Sequence, residues 1–212
     1  MNCLYKQVRL VTCFKKISKH HCRQIHVTSS VNFLMKYLDS CLNIFDNERL
    51  QEVGGERLCA EWVLKNGGRL RWAGSNVWLT NYNSIPNEET TKHLKVHDID
   101  LAGTTVMFDG MPHLVQLSEL ASLSFDSCKY LDDVSIKCVS SIRSPIRHLQ
   151  ISNCEKITDE GLKSLVKLST LKELHLMNLP RVVSKEQVYE ELQKALSDCE
   201  IMYMDLDHFK KQ

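Results

Sequence analysis

The residues that could support metal or acid–base chemistry lie in two short acidic motifs. Asp98-x-Asp100 and Asp205-x-Asp207-His208 contain carboxylate and imidazole groups, which are common metal ligands. The first pair follows the alternation of a predicted strand, so exposure to solvent explains it better. The second motif lies in a polar tail. The chain has no phosphate-binding glycine loop, no nucleophile elbow and no His-Glu-x-x-His. We therefore predict a protein that is not an enzyme and has no small-molecule substrate.

The nine cysteines do not have the spacing of a disulfide or zinc framework. No pair is arranged as C-x-x-C. Three cysteines lie in the basic N-terminal segment, Cys128 and Cys154 lie at predicted turns, and Cys59, Cys138 and Cys199 lie in apolar helical or strand-edge contexts. We expect free, mostly buried thiols in a reducing compartment.

Four segments of the chain share one pattern of apolar residues at relative positions 1, 4, 6 and 9. They are Val96/Ile99/Leu101/Thr104, Leu120/Leu123/Phe125/Cys128, Ile146/Leu149/Ile151/Cys154 and Leu171/Leu174/Leu176/Leu179. The steps between them are 24, 26 and 25 residues, which is typical of leucine-rich repeats. The alternation inside each segment predicts a short strand with buried apolar residues and solvent-facing polar ones.

A turn and a helix cap are predicted after the strands. Thr158 supplies a hydroxyl cap, Asp132 occupies the equivalent place, and Ser184-x-x-Gln187 reads as a capping box for the last helix. A closing strand is predicted at Ile201-x-Tyr203. One such unit cannot bury its own apolar face, so the repetition predicts a stack.

The first part of the chain is basic and the rest is acidic. Residues 1–38 hold seven Lys or Arg and no Asp or Glu, which leaves a net charge of −6 on the remainder. A basic, acid-poor, amphipathic leader that contains Ser and Thr is typical of a mitochondrial presequence, which we predict over residues 1–30. A disordered basic arm or a surface-binding helix is the alternative. The acidic body argues against nucleic acid as a partner, and no apolar run is long enough to span a membrane.

Residues 31–90 have the features of a small helical cap. Helices are predicted over residues 31–45 and after Gly54-Gly55, the second ending at Asn66-Gly67-Gly68. A short strand, Leu70-x-Trp72, follows, with Arg69 and Arg71 pointing outward. We interpret Trp62, Trp72 and Trp78 as packing anchors rather than a ligand site.

Together these patterns predict an α/β fold: a short leucine-rich-repeat solenoid with four repeats, made of parallel strands plus helices. A small N-terminal, mainly helical domain (residues 31–90) would cap it, and residues 91–212 would hold the repeats and a C-terminal cap.

With these elements in place, the chain from about Val31 onward resembles the mitochondrial ATP synthase subunit s family, also called coupling factor B. The motifs that carry the resemblance are Glu52-Val53-Gly54, Glu61-Trp62-x-Leu64, Tyr82-Asn83-x-x-Pro86, Cys128-Lys129-Tyr130-Leu131-Asp132-Asp133, Ile151-Ser152-x-Cys154, Ile157-Thr158-Asp159 and Leu179-Pro180.

The resemblance implies a peripheral protein on the matrix side of the mitochondrial inner membrane. It would associate with subunits of the ATP synthase membrane sector and support the coupling of proton transport to ATP synthesis. The resemblance also implies a weak, structural magnesium site, whose protein ligands map onto Gly54 and Asn87, since hard oxygen ligands suit this ion. It further implies reactive thiols at positions held here by Asn66 and by the pair Asp126 and Cys128. A vicinal dithiol cannot form from a single cysteine.

Two other functions remain open. Close relatives of the same family imply an assembly factor for the membrane arm of respiratory complex I, and the sequence separates the two roles poorly. A leucine-rich-repeat substrate adaptor of a ubiquitin ligase would share the cysteine turn and the Ile-Thr-Asp cap. That protein would need an F-box near its N-terminus, where this chain has its basic leader.

If the function is binding, the solvent-facing strand positions form the candidate partner surface. They are Arg69, Arg71, Asp98, Asp100, Asp126, Gln150, Glu173 and His175. Ser124, Ser152 and Lys95 lie among them in the pattern, and the basic members are candidates for contact with anionic lipid or acidic subunits.

Overall fold

The computed structural model describes residues 27–204, with side chains from residue 33 onward. Residues before Leu38 form a unit separate from the one that begins at Leu38, and the sheet described below belongs to the second. The predicted presequence up to residue 26, the leader cysteines and the Asp205-x-Asp207-His208 motif fall outside the described residues. Within residues 27–204, no helix is long and apolar enough to cross a membrane.

The fold is mixed α/β. Its α-helices are α1 (Val27–Leu42), α2 (Asn47–Val53), α3 (Gly55–Lys65), α4 (Glu88–Thr91), α5 (Pro112–Val115), α6 (Asp133–Val139), α7 (Asp159–Lys163) and α8 (Lys185–Ala195). Short 3-10 turns lie at Tyr82–Ser84, Phe108–Gly110 and Ser164–Lys167. The strands are β1 (Arg69–Trp72), β2 (Val96–Asp100), β3 (Ser122–Asp126), β4 (His148–Ser152), β5 (Glu173–Met177) and β6 (Glu200–Tyr203).

One six-stranded sheet runs through the second unit in the order β1-β2-β3-β4-β5-β6. The strands β2 to β6 are parallel to one another, and β1 pairs with β2 in the antiparallel direction. Parallel neighbours that follow each other in sequence require a crossover between them, and the helices α5 to α8 lie in those crossovers. The strand predicted at Leu70-x-Trp72 is thus part of the same sheet as the later strands.

The register of the sheet matches the alignment of the four sequence segments. Ile99 pairs with Leu123, Leu123 with Leu149, and Leu149 with Leu174. Each of these four side chains is at most 2 % exposed. The row continues to Ile201 on β6. The apolar spacing therefore predicted both the strands and their neighbours, because residues that share a pairing row share one face of the sheet.

On the helical side of the sheet, carboxylates of one crossover accept hydrogen bonds from the next crossover. Asp133 accepts hydrogen bonds from the Thr158 backbone N–H at 2.8 Å and from its hydroxyl at 2.6 Å. Asp159 accepts from the backbone N–H groups of Val183 at 2.8 Å and Ser184 at 3.1 Å. Each acid thus stabilises the start of the following segment as well as its own helix.

The predicted capping box at Ser184 is wrong, although Asp132 and Thr158 cap α6 and α7 as expected. The Ser184 side chain makes no capping hydrogen bond to α8, and the Gln187 amide donates to Glu191 at 3.2 Å. The Ser184 backbone is held by Asp159 instead, a contact that local sequence does not reveal.

A buried polar cluster organises the N-terminal part of the second unit. Asn43 is fully buried and donates to the carbonyl of Thr105 at 3.0 Å. Its side-chain oxygen accepts from the Trp62 indole at 3.3 Å and from the Met107 backbone N–H at 3.0 Å. Because a buried amide is costly unless it is hydrogen-bonded, these contacts fix the chain after α1 against α3. They agree with the packing role predicted for Trp62.

The helix α2 was not predicted from the sequence, and a salt-bridge cluster holds it in place. Glu61 on α3, with its side chain 3 % exposed, lies 2.8 Å from Arg49 on α2 and 3.1 Å from Arg57. The Arg49 pKa is raised because Glu61 accepts a hydrogen bond from its guanidinium. A nearly buried carboxylate is tolerated only with such partners, so these ion pairs couple α2 to α3.

Candidate functional site

Strand pairing lines up the polar side chains of the sheet in two main rows, which together we call the polar sheet face. The first row is Arg71, Asp98, Ser122, His148, Glu173 and Glu200. The second row is Arg69, Asp100, Ser124, Gln150, His175 and Met202. The structure therefore brings seven of the eight predicted partner-binding residues together in these two rows, and Asp126 lies at the end of β3.

At the β1 edge, the predicted binding residues form ion pairs with one another. Arg69 lies 2.7 Å from Asp100, and Arg71 lies 2.9 Å from Asp98. Both guanidinium groups are 4.7 Å from the centre of the Trp78 ring, a distance at which cation–π attraction contributes. This edge is thus locally neutral, and its arginines are already held by residues of the same chain.

Asp98 departs from the prediction of a solvent-facing residue, since it is only 6 % exposed. Arg71 covers it from β1, and His97 Nδ1 lies 3.1 Å from its other carboxylate oxygen. The alternation along β2 correctly predicted the face of the sheet on which Asp98 lies. The burial arises because these two neighbouring side chains fold over the carboxylate, which the spacing of β2 alone cannot show.

The middle of the face carries histidine and amide groups. His148 Nδ1 lies 3.1 Å from Glu173 on the neighbouring strand, and Gln150 donates to the Ser152 hydroxyl at 3.1 Å. His175 Nε2 is buried without a hydrogen-bond partner among the described residues. The polar sheet face therefore mixes charged, titratable and neutral hydrogen-bonding groups.

Asp126 is the last residue of β3, and its side chain holds the turns that follow β3 and β4. Its carboxylate accepts hydrogen bonds from the Ser152 hydroxyl at 2.5 Å and from the Asn153 amide at 2.6 Å. Hydrogen bonds from Ser152, Asn153 and Ser127 lower the pKa of Asp126. The Asn178 amide donates to Asn153 at 2.7 Å, which extends the chain of contacts along this edge. The predicted binding residue Asp126 is thus also part of the turn structure.

Among the residues that the structure describes, no group of three or more His, Cys, Asp or Glu side chains is placed to hold a metal ion. A concavity of about 550 Å³ opens at the start of β2, β3 and β4, and Arg71, His97, Asp98, Ser122, Arg147 and His148 are among its lining residues.

Comparison of the sequence with known proteins identifies the family. No protein-family model matches the chain. A Mus musculus protein named "ATP synthase subunit s, mitochondrial" is 30% identical over 193 residues, which cover 89% of this chain and 96% of the mouse protein. The chain belongs to the mitochondrial ATP synthase subunit s family. The Homo sapiens protein of the same name is 28% identical over the same coverage.

A second kind of relative lies farther from the chain than the subunit s proteins. A Drosophila melanogaster protein named "Distal membrane arm assembly component 2" is 25% identical over 168 residues, which cover 77% of this chain and 59% of that protein.

The two residues onto which the subunit s resemblance maps a magnesium ion lie at helix ends. Gly54, with φ of 78°, separates α2 from α3, and its carbonyl accepts from the Leu58 N–H at 3.0 Å. The Asn87 side chain caps α4 by accepting from the Thr90 N–H at 2.9 Å, and its carbonyl accepts from the Thr91 hydroxyl at 2.6 Å. Arg57 donates to the neighbouring Pro86 carbonyl.

These oxygens fit a divalent cation poorly, since all are neutral, all already accept a hydrogen bond, and a guanidinium lies beside them. Magnesium in proteins is commonly bound through carboxylates. The magnesium site therefore stays a prediction.

The subunit s resemblance implies reactive thiols at the positions held by Asn66, Asp126 and Cys128. In this chain these residues have structural roles. The Asn66 amide donates to the Trp62 carbonyl at 3.0 Å inside the buried polar cluster. The Cys128 thiol is fully buried and donates to the Leu101 carbonyl at 3.1 Å. The neighbouring Cys154 thiol and burial together raise the pKa of Cys128. A thiol held in this way is structural and unreactive.

Proposed function

We propose that this chain is a non-catalytic mitochondrial protein that associates with the ATP synthase membrane sector and supports the coupling of proton transport to ATP synthesis. The observation that carries the proposal is the near full-length relationship to proteins named as mitochondrial ATP synthase subunit s. The presequence predicted for residues 1–30 agrees with import into mitochondria. We place the protein on the matrix side of the inner membrane, as a peripheral component.

We further infer that β2 to β6 and their crossover helices form a short leucine-rich-repeat solenoid with four repeats. The pairing row from Ile99 to Ile201 supports this inference, because equivalent apolar residues lie side by side on consecutive strands. Solenoids of this kind present an extended surface to partners. In this chain the polar sheet face is such a surface, and we assign subunit contact to it.

The polar groups of this face suit a regulated or reversible contact. Several of its charges are paired within the chain, through Arg71 and Asp98 and through Arg69 and Asp100. Paired charges on a rim contribute mainly to specificity and association rate rather than to affinity. The face therefore selects a partner of matching shape and hydrogen-bonding pattern.

The test is native gel separation of gently solubilised mitochondria, with detection of the full-length chain. Co-migration with ATP synthase is expected. Loss of the chain should lower the ATP made per oxygen consumed, and the full-length wild-type chain should restore it. A variant with Gln150→Lys, Glu173→Lys and His175→Glu should lose co-migration, whereas Glu190→Lys on the exposed side of α8 should keep it. Retention of the triple variant in the complex would contradict the assignment of the face.

The second candidate function is assembly of a respiratory membrane arm. The observation in its favour is the relationship to the Drosophila protein named as a distal membrane arm assembly component. Migration of the chain with complex I intermediates in the same gel, and accumulation of those intermediates when the chain is lost, would support this function over the first. Absence of the chain from mitochondria would overturn both and revive the ubiquitin ligase adaptor.

A further inference from the structure

The polar sheet face has a depression over β3, because the β3 residues in its two rows are both serines. Ser122 and Ser124 lie between larger side chains on β2 and β4. Two adjoining concavities of about 550 Å³ and about 110 Å³ result, and both are lined by Ser122 and His148. We call the depression over Ser122 and Ser124 the serine groove.

The width of the serine groove limits what it can hold. At Ser122 its walls stand on β2 and β4, which are two strand spacings apart, or about 9.6 Å. An α-helix with side chains is about 10–12 Å across, so a helix is too wide to reach the floor. One extended chain fits, and the length of β3 corresponds to about five residues of such a chain.

The smaller concavity contains a buried polar atom with unused hydrogen-bonding capacity. Within the described part of the chain, the buried Nε2 of His175 on β5, which lines that concavity, has no hydrogen-bond partner. Burial of a polar atom without a partner is unfavourable. An occupant that offers a backbone N–H or C=O group or an amide side chain would satisfy this atom.

The charges around the wider end of the groove indicate one further property of the occupant. Asp98 is engaged by Arg71 and His97, while Arg147 lines the same concavity and has no ion-pair partner among the described residues. Glu119 also lines this end and also lacks an ion-pair partner in that part of the chain. An acidic side chain of the occupant would complement Arg147, and Glu119 would oppose it.

We propose that the serine groove binds one extended segment of a protein partner, with small polar residues over Ser122 and Ser124 and an acidic side chain paired with Arg147. The proposal rests on the proposed function, since it names the part of the polar sheet face that makes the contact and the kind of segment that it takes. The segment lies along β3 and hydrogen-bonds to the groove through its main chain.

Site-specific photo-crosslinking in intact mitochondria tests this inference. The full-length chain carries a small aliphatic diazirine amino acid, which leaves the groove open, in place of Ser124 or, as a control, in place of Ser141, which is exposed on the helical side. Crosslinks at position 124 should map to one extended segment that contains an acidic residue, and position 141 should give none to that segment. With the crosslinker at position 124, Arg147→Glu should lower the crosslink yield about tenfold and Glu119→Gln should raise it.

The outcomes separate this inference from the proposed function. If the chain co-migrates with ATP synthase but position 124 gives no protein crosslink, the groove assignment is overturned while the proposed function stands. Crosslinks to a helical segment or to lipid also overturn it, as does a yield that Arg147→Glu leaves unchanged. A mapped extended segment from a protein outside ATP synthase supports the groove and overturns the proposed partner instead.

Discussion

The imidazole of His113 stacks on the indole of Trp62, with ring centroids 5.0 Å apart and planes 4° from parallel. His113 Nδ1 lies 2.8 Å from the Gly110 carbonyl, and Phe45 meets its ring edge-on at 4.9 Å. Burial in this aromatic environment lowers the pKa of His113 to about 4. The N-terminal core of the second unit therefore contains a histidine that is neutral throughout the physiological range.

The lowered pKa of His113 predicts that the folded protein is less stable at acidic pH. Because the folded-state pKa is depressed, the unfolded chain binds more protons between pH 6.5 and about 4, so stability falls as pH falls through that window. The loss is at most about 3–4 kcal/mol, since the pKa is lowered from 6.5 to about 4 and one pKa unit corresponds to about 1.4 kcal/mol. Urea unfolding at neutral and acidic pH measures it. His113→Phe should flatten the pH dependence, whereas the exposed His93→Gln should not. An equally steep profile for His113→Phe would sink the idea.

The bond from Asp133 to Thr158 should stabilise two consecutive crossovers together. Asp133→Ala removes two hydrogen bonds to that residue and leaves a part-buried N–H and hydroxyl without partners, which costs about 1–3 kcal/mol. Asp109→Ala is the matched control, because Asp109 is exposed and makes no such contact, and surface changes usually stay within about 0.5 kcal/mol. Denaturation midpoints provide the comparison. Equal effects of the two variants would show that the link between crossovers adds no stability.

The two ion pairs at the β1 edge should differ in strength. The side chains of Asp98 and Arg71 are 8% and 32% exposed, whereas those of Asp100 and Arg69 are 15% and 50% exposed. Double-mutant cycles on unfolding free energy should give a coupling of about 1–3 kcal/mol for the first pair and below about 1 kcal/mol for the more exposed second pair. A larger coupling for Arg69 and Asp100 would contradict the role assigned to burial.

The cysteines of the second unit should differ sharply in reactivity. Cys59, Cys128 and Cys154 are fully buried, while Cys41 is exposed. Burial also raises the pKa of Cys59, and only the thiolate is nucleophilic. Brief alkylation of the native chain, mapped by mass spectrometry, should label Cys41 first and the three buried thiols only after unfolding. Labelling of Cys128 as fast as Cys41 would mean that the turn after β3, which buries Cys128, opens in the native protein.

Magnesium should change the stability of the chain little. Asn87 caps α4 through its side-chain oxygen, so Asn87→Ala should cost about 1 kcal/mol through loss of the cap. Thermal unfolding with MgCl2 or with a chelator should show the same cost in both conditions. If magnesium instead stabilised the wild type and failed to stabilise Asn87→Ala, the magnesium site would be confirmed. Capping of α4 would then be the smaller contribution of Asn87.

The sequence determined the apolar framework of this protein. Residues such as Leu123, Leu149 and Leu174 recur at nearly constant spacing, and a parallel sheet with sequential strand order brings equal positions into one buried row. Helix caps at Asp132 and Thr158 were also predictable, because they depend on residue type within a few positions. The family motifs followed from the same local information.

Tertiary structure alone decided how the polar residues are used. Asp98 is buried by Arg71 from a strand 27 residues earlier in the chain, Ser184 is held by Asp159 rather than by its own capping box, and α2 is fixed by Glu61. The serine groove exists because small side chains on β3 lie between larger ones on two other strands. Apolar periodicity is a local signal, whereas the partner of a charge or hydroxyl is set by whatever the fold brings beside it.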